Sequence, residues 1–172
     1  MGKDTHKITF INKSNIYCKY VRSLLHSGDF ILRKANMKLK YTKDQRKEYL
    51  NMIDHVGGNW LDVFQGDSEF YSAAYWDLLT RIWKSDKPVR KTDALKFMIG
   101  IKSAQTAGKY LENAIEHDFI REEENPRDAR SKLVSLAPEM RARLDVFFDL
   151  AVGEVRTASK NMEELRLLLE TS

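Results

Sequence analysis

Cysteine, proline and glycine are all scarce in these 172 residues, at one, three and eight. With Cys18 alone, no disulfide can form within the chain, so nothing demands an oxidising compartment. So few prolines and glycines disfavour a turn-rich all-β design and favour helices. No apolar run approaches the roughly 18 residues that a membrane span requires. The N-terminus is polar and lacks the apolar core of a signal peptide. His6 stands where a myristoylation motif beginning at Met1-Gly2 wants Ser or Thr. The expectation is a cytoplasmic protein with no membrane contact. Chemical signatures are missing too: there is no Gly-rich phosphate loop, no nucleophile elbow and no HExxH. His6, His26, His55 and His117 are scattered, without partners at ligand spacing. Glu163 and Glu164 sit among charged neighbours and read as a solvated helix face. No catalytic residue, cofactor or metal ligand is expected, and the chain reads as a non-enzyme.

What is present is an ordinary globular mixture, 42% hydrophobic and 31% charged, enough to bury a core. The net charge of +4 is unevenly spread, since residues 1–47 hold 12 Lys/Arg against 3 Asp/Glu. A basic segment attracts polyanions through counterion release; a solvated arm without a partner has equal standing on charge pattern alone.

Periodicity supplies the architecture. Ser14 caps an expected short helix bearing Ile16, Tyr17, Tyr20, Val21, Leu24 and Leu25, while residues 30–41 are ambiguous between strand and coil. Thr42 or Asp44 opens a helix with Tyr49, Ile53, Val56, Trp60 and Phe64 at steps of three and four, and Gly57-Gly58 inside it marks a bend or a close contact. After a boundary at residues 65–68, Ser68 is expected to cap a helix over residues 69–84, with Tyr71, Tyr75, Leu78, Leu79 and Ile82 inward. Asp86-Lys87-Pro88 turns the chain, Thr92 is expected to cap a two-turn helix over residues 93–99 with Leu95 and Met98 inward, and a further helix spans residues 103–117. Residues 119–123 and 132–136 read as two strands around the turn Asn125-Pro126-Arg127-Asp128. A long helix starts at Pro138, with Met140, Leu144, Phe147, Ala151, Val155, Ala158, Met162, Leu165 and Leu169 forming one apolar stripe. Such a stripe needs another helix or another subunit to cover it. The fold expected is mainly α with a small β-hairpin wing, a winged helix-turn-helix with flanking dimerisation helices. It divides into a basic N-terminal extension (1–41), an N-terminal dimerisation helix (42–66), the winged domain (67–137) and a long C-terminal dimerisation helix (138–172).

At this point a resemblance becomes specific. Ser103-Ala104-Gln105-Thr106, then Lys109, then Phe119-Ile120-Arg121 is similar to the recognition helix and first wing strand of the MarR family of dimeric transcription regulators. The stretch from Asn125 to Leu136, with Asp128-x-Arg130 and the return strand Leu133-Val134-Ser135-Leu136, resembles that family's wing. The match covers residues 69–148. Gly108 departs from it, standing where a contacting side chain is usual; so do Lys109, Asp118 in place of a helix-ending Gly, and Ala137-Pro138 in place of a Thr-type cap. Some relatives sense peroxides through an N-terminal cysteine. Cys18 lies farther upstream than that likeness implies, and reads as an inert side chain.

The resemblance implies a sequence-specific regulator bound as a homodimer to double-stranded DNA. Ser103, Gln105 and Thr106 then lead the recognition helix and reach base edges or phosphates. Lys102 precedes the helix, where backbone amides favour an anion. Lys109 meets a phosphate or a guanine, Arg127 and Arg130 crown the wing beside a narrow minor groove, and Lys132 contacts phosphate. Asp128 orients Arg130 or closes the turn. Glu122-Glu123-Glu124 repels phosphate unless strand alternation turns part of it away. Those acids favour the competing reading, a winged helix used for protein contacts without DNA. Trp60, Trp76 and Trp83 read as core; an effector pocket for a small molecule, of unidentified chemistry, would be lined by aromatics between the dimer helices and the winged lobe.

Overall fold

The computed structural model describes residues 39–170. Cys18, the expected helix after Ser14 and nearly all of the basic extension lie outside the described residues, as does the Leu169 side chain.

Helix α1, Lys43–Asp62, opens on a reciprocal capping box. Thr42 Oγ1 accepts the Gln45 amide, and Gln45 Oε1 accepts the Thr42 amide, so two donors with no intrahelical partner are satisfied. The helix runs unbroken through Gly57-Gly58. A Cβ at Gly57 would sit 3.1 Å from the Tyr71 hydroxyl, so the glycine serves a close contact rather than a bend. The chain then turns at Gln65 and Gly66, both at positive φ.

The expected helix over residues 69–84 is in fact two elements. Asp67 caps a short 3-10 turn, Ser68–Phe70, and Ser72 caps α2, Ala73–Trp83. The expected cap at Ser68 is thus corrected: Ser68 is the first residue of the turn, and Asp67 and Ser72 supply the caps. The chain breaks between them because Tyr71, at ψ 71°, leaves the helical region. The helix expected over residues 93–99 is also corrected. Thr92 lies inside α3, Lys91–Ala94, whose N-cap is Arg90 without a side-chain bond. A 3-10 turn, Leu95–Phe97, completes that unit. Helix α4, Ala104–Glu116, follows, capped by Ser103. It ends on Asp118 at φ 56°, in the left-handed conformation that Asp tolerates.

A three-stranded antiparallel sheet of order β1-β3-β2 combines β1 (Val89–Arg90), β2 (Ile120–Glu124) and β3 (Lys132–Leu136). Strand β1, which nothing in the sequence pattern led us to expect, pairs Val89 with Val134. The last helix, α5, spans Pro138–Glu170, roughly 50 Å at 1.5 Å per residue.

The core gathers Leu78, Leu79, Ala94, Met98, Leu111, Ala114, Ile120, Val134 and Leu144, all at most 1% exposed. Helix α1 lies antiparallel on α5. Gln45 Nε2 donates to the Met162 carbonyl at 2.9 Å, Asn161 Nδ2 to Glu48 Oε1 at 2.6 Å, and an Arg143 nitrogen to the Val63 carbonyl at 3.2 Å. The single apolar stripe expected on α5 is corrected too. Met140, Leu144, Phe147 and Ala158 are buried, but Val155 is 53% exposed and lies off the covered face. Tyr49 of α1 is likewise exposed. No described helix is long and apolar enough to cross a membrane.

Candidate nucleic-acid interface

The face of α4 follows from its spacing. Ala107, Leu111 and Ala114, at steps of four and three, are buried against the core. Gln105, Thr106 and Lys109 therefore point outward, and all three are exposed, as are Lys102 and Ser103 at the leading edge. Ser103 Oγ accepts the Thr106 amide at 3.4 Å, so part of this polar edge is committed to capping. The helix is braced from behind. Asn113 Nδ2 donates to Tyr75 Oη of α2 at 2.6 Å, and Tyr75 is buried, which pushes its phenol pKa up.

The turn before α4 is fixed by a buried carboxylate. Asp77 of α2 accepts the Ile99 amide at 3.1 Å. Burial raises the Asp77 pKa above the ordinary carboxylate value, while the Ile99 bond and the Arg81 charge pull it back in part. A raised folded-state pKa favours folding fully below the unfolded pKa, and that contribution is lost as pH rises through the folded value. Asp77→Asn keeps an oxygen acceptor and removes the charge. Its melting temperature relative to wild type should therefore rise between about pH 3 and about pH 7. Thermal melts across that range check it, and a difference independent of pH would refute it.

The wing loop is held by side-chain bonds to backbone. Asn125, 8% exposed, accepts the Arg127 amide at 3.0 Å through Oδ1 and donates to Ser131 Oγ at 2.8 Å. Asp128 Oδ1 accepts the Arg130 amide at 3.1 Å, and Ser131 Oγ donates to the Asp128 carbonyl. Asp128 thus closes the turn through backbone. Arg127 and Arg130 are left exposed at the tip. Among the described residues, Lys102, Lys109, Arg127 and Arg130 form no ion pair with any carboxylate.

Lys132 is different. Its Nζ lies 2.5 Å from Glu122 Oε1, and Glu122 also pairs with Lys91, which in turn meets Glu112 of α4 at 2.7 Å. Hydrogen bonds from Lys132 and Lys91 hold the Glu122 carboxyl below its usual range. The same contact raises the Lys132 pKa. For Lys91, partial burial works against the charge, but its bonds to Glu112 and Glu122 outweigh that and raise it. Alternation therefore does turn Glu122 away from the outer face of the sheet, onto the side of Val134, while Glu123 and Glu124 remain exposed. Lys91 and Glu112 escaped the sequence reading because the pairs they form join residues 21 and 31 positions apart.

The three tryptophans pack inward as expected. Trp60 is 3% exposed and lies edge-on to Trp76 at 4.8 Å and to Phe147 at 5.2 Å, while Trp83 Nε1 donates to Asp145 of α5 at 2.7 Å. Trp60 Nε1 is buried without a hydrogen-bond partner. Among the described residues no group of three His, Cys, Asp or Glu is placed to hold a metal ion.

No protein-family model matches the chain, and no curated protein does. Solved structures do. A mutant of MepR from a multidrug-resistant Staphylococcus aureus clinical isolate aligns over 77% of this chain and 93% of its own, at TM-score 0.50 and 16% identity. A MarR family transcriptional regulator from Streptomyces coelicolor, in complex with DNA, matches 73% of this chain and 82% of its own, at TM-score 0.44 and 19% identity. AbsC, a MarR family regulator of the same organism, matches 78% and 93%, at TM-score 0.45 and 13% identity. The helix order, the capped α4 and the three-stranded wing make a winged helix, and the described residues share their fold with MepR.

Proposed function

We propose that this protein is a double-stranded DNA-binding transcription regulator, acting as a homodimer with α4 in the major groove and the hairpin tip on the flanking minor groove or backbone. The observation that carries the reading is the outward edge of α4, Lys102 to Lys109, together with two unpaired wing arginines on a loop already closed by Asn125 and Asp128. A major groove admits one helix, and free cations beside it meet phosphate. Self-association is supported by Val146 and Leu150 of α5, 61% and 51% exposed, which line a mainly apolar groove of about 390 Å³ with Asn59, Asp62 and Val63. Two lobes would then meet half-sites about one duplex turn apart. The dimer-forming parts are residues 42–66 and 138–172, flanking the winged domain at 67–137.

The test is a fluorescence titration of duplex DNA across a salt series. With four free cations in each of two lobes, the logarithm of affinity should fall with the logarithm of salt at a slope of about −7. Between about 50 and about 200 mM salt that is a loss on the order of ten-thousandfold. A slope shallower than about −2 would favour a protein-contact module instead.

A further inference from the structure

A helix seated in the major groove and a hairpin on the adjoining minor groove have one phosphate backbone between them. That backbone must cross the corner where α4 meets the wing. In this chain the corner is occupied by Lys91, Lys132, Glu112 and Glu122, and the exposed Glu124 stands 3.9 Å from Lys132 Nζ, so two cations meet three carboxylates. Glu122 is the hub, since its two oxygens hold Lys132 at 2.5 Å and also Lys91. Its side chain is 19% exposed, against 50% for Lys132, so the carboxylate sits beneath the lysine it binds.

We propose that Glu122 is an internal competitor for DNA phosphate: it occupies the two lysines of this corner, and the duplex backbone must displace it to be gripped there. The inference rests on the DNA-binding reading above and concerns how that reading's affinity is set. A carboxylate and a phosphate offer a lysine the same kind of charge-assisted acceptor, so one excludes the other at a given ammonium proton. With Glu122 present, contact in the corner exchanges one ion pair for another and releases few counterions. Without it, Lys132 keeps only the longer contact with the solvated Glu124, which screening weakens, and most of the counterion gain is recovered. The arrangement lowers affinity for any duplex equally. Binding then depends on the contacts of Gln105, Thr106, Lys109 and the wing tip, which read position.

The experiment compares full-length wild type with Glu122→Gln on random-sequence duplex DNA across a salt series. The variant should bind on the order of tenfold tighter at about 0.1 M salt, and its salt slope should steepen by about 2, one phosphate contact per lobe. Glu123→Gln makes the same charge change on the outer face and should give less than half of that steepening. Adding Lys132→Ala to Glu122→Gln should erase the gain. Lys132→Ala alone, in a chain that keeps Glu122, carries the test if Glu122→Gln folds poorly: a lysine already occupied by Glu122 should leave the salt slope unchanged when removed, and a slope shallower by about 2 would show that Lys132 grips phosphate freely and overturn the proposal. A folded Glu122→Gln chain that binds no tighter than wild type, with an unchanged slope, overturns the proposal. So does an equal gain from Glu123→Gln, which would make the effect one of net charge. Absence of salt-dependent binding in every chain, wild type included, would instead remove the DNA reading and this inference with it.

Discussion

Phe70→Ala should lower stability by about 3–5 kcal/mol, the upper range for an aromatic removed from a core. Phe70 is 2% exposed and stands where four elements meet. Its ring stacks on Phe64, beyond the end of α1, at 5.5 Å. It lies edge-on to Tyr75 of α2 at 5.0 Å, to His117 at the end of α4 at 4.9 Å, and to Phe119 just before β2 at 4.8 Å. Alanine leaves a void that these rigid rings cannot collapse to fill, so the cavity cost adds to the lost transfer energy. For a chain of this size the melting temperature should drop by roughly 6–20 °C. Thermal and urea melts measure it. A loss under about 1 kcal/mol would mean that the packing around Phe70 is not the keystone described.

The second large effect concerns binding. Lys109→Ala combined with Arg130→Ala removes one exposed cation from α4 and one from the wing tip, so two of the four free cations in each lobe are lost. Duplex affinity should fall at least about 100-fold at about 0.1 M salt, and the salt slope should shrink by about half. Neither side chain supports the fold through an ion pair among the described residues, so the melting curve should move by no more than a few degrees. A folded double variant that binds as tightly as wild type would show that duplex DNA does not lie against these two residues.

Much of this arrangement could be read from local rules. The capping box at Thr42 and Gln45, the cap at Ser103 and the turn at Asn125 each depend on neighbours within a few positions, and each appears where those neighbours place it. The errors have equally physical causes. Asp67, Ser68 and Ser72 are all capping residue types within six positions, and the split into a turn capped by Asp67 and a helix capped by Ser72 lies in the backbone of Tyr71 rather than in any side-chain pattern. Strand β1 has two residues, too few to show alternation; it exists because Val134 offers it a free edge. Val155 satisfies a helical period, yet the partner helix α1 does not cover that side. The outward edge of α4 is expected from the resemblance carried by Ser103 to Lys109, and the burial of Ala107, Leu111 and Ala114 on the opposite face agrees with it. The pairing of Lys91, Lys132 and Glu122 has no such signal, because charges far apart in sequence meet only once the sheet has formed.

Asn125 has a consequence for the kinetics of encounter. A loop whose shape is set by its own amide side chain does not have to be frozen when it docks, so little conformational freedom is surrendered on contact. Docking of the hairpin tip should therefore be limited by how often the two molecules collide in a usable orientation, with salt setting the steering, rather than by a search among loop shapes.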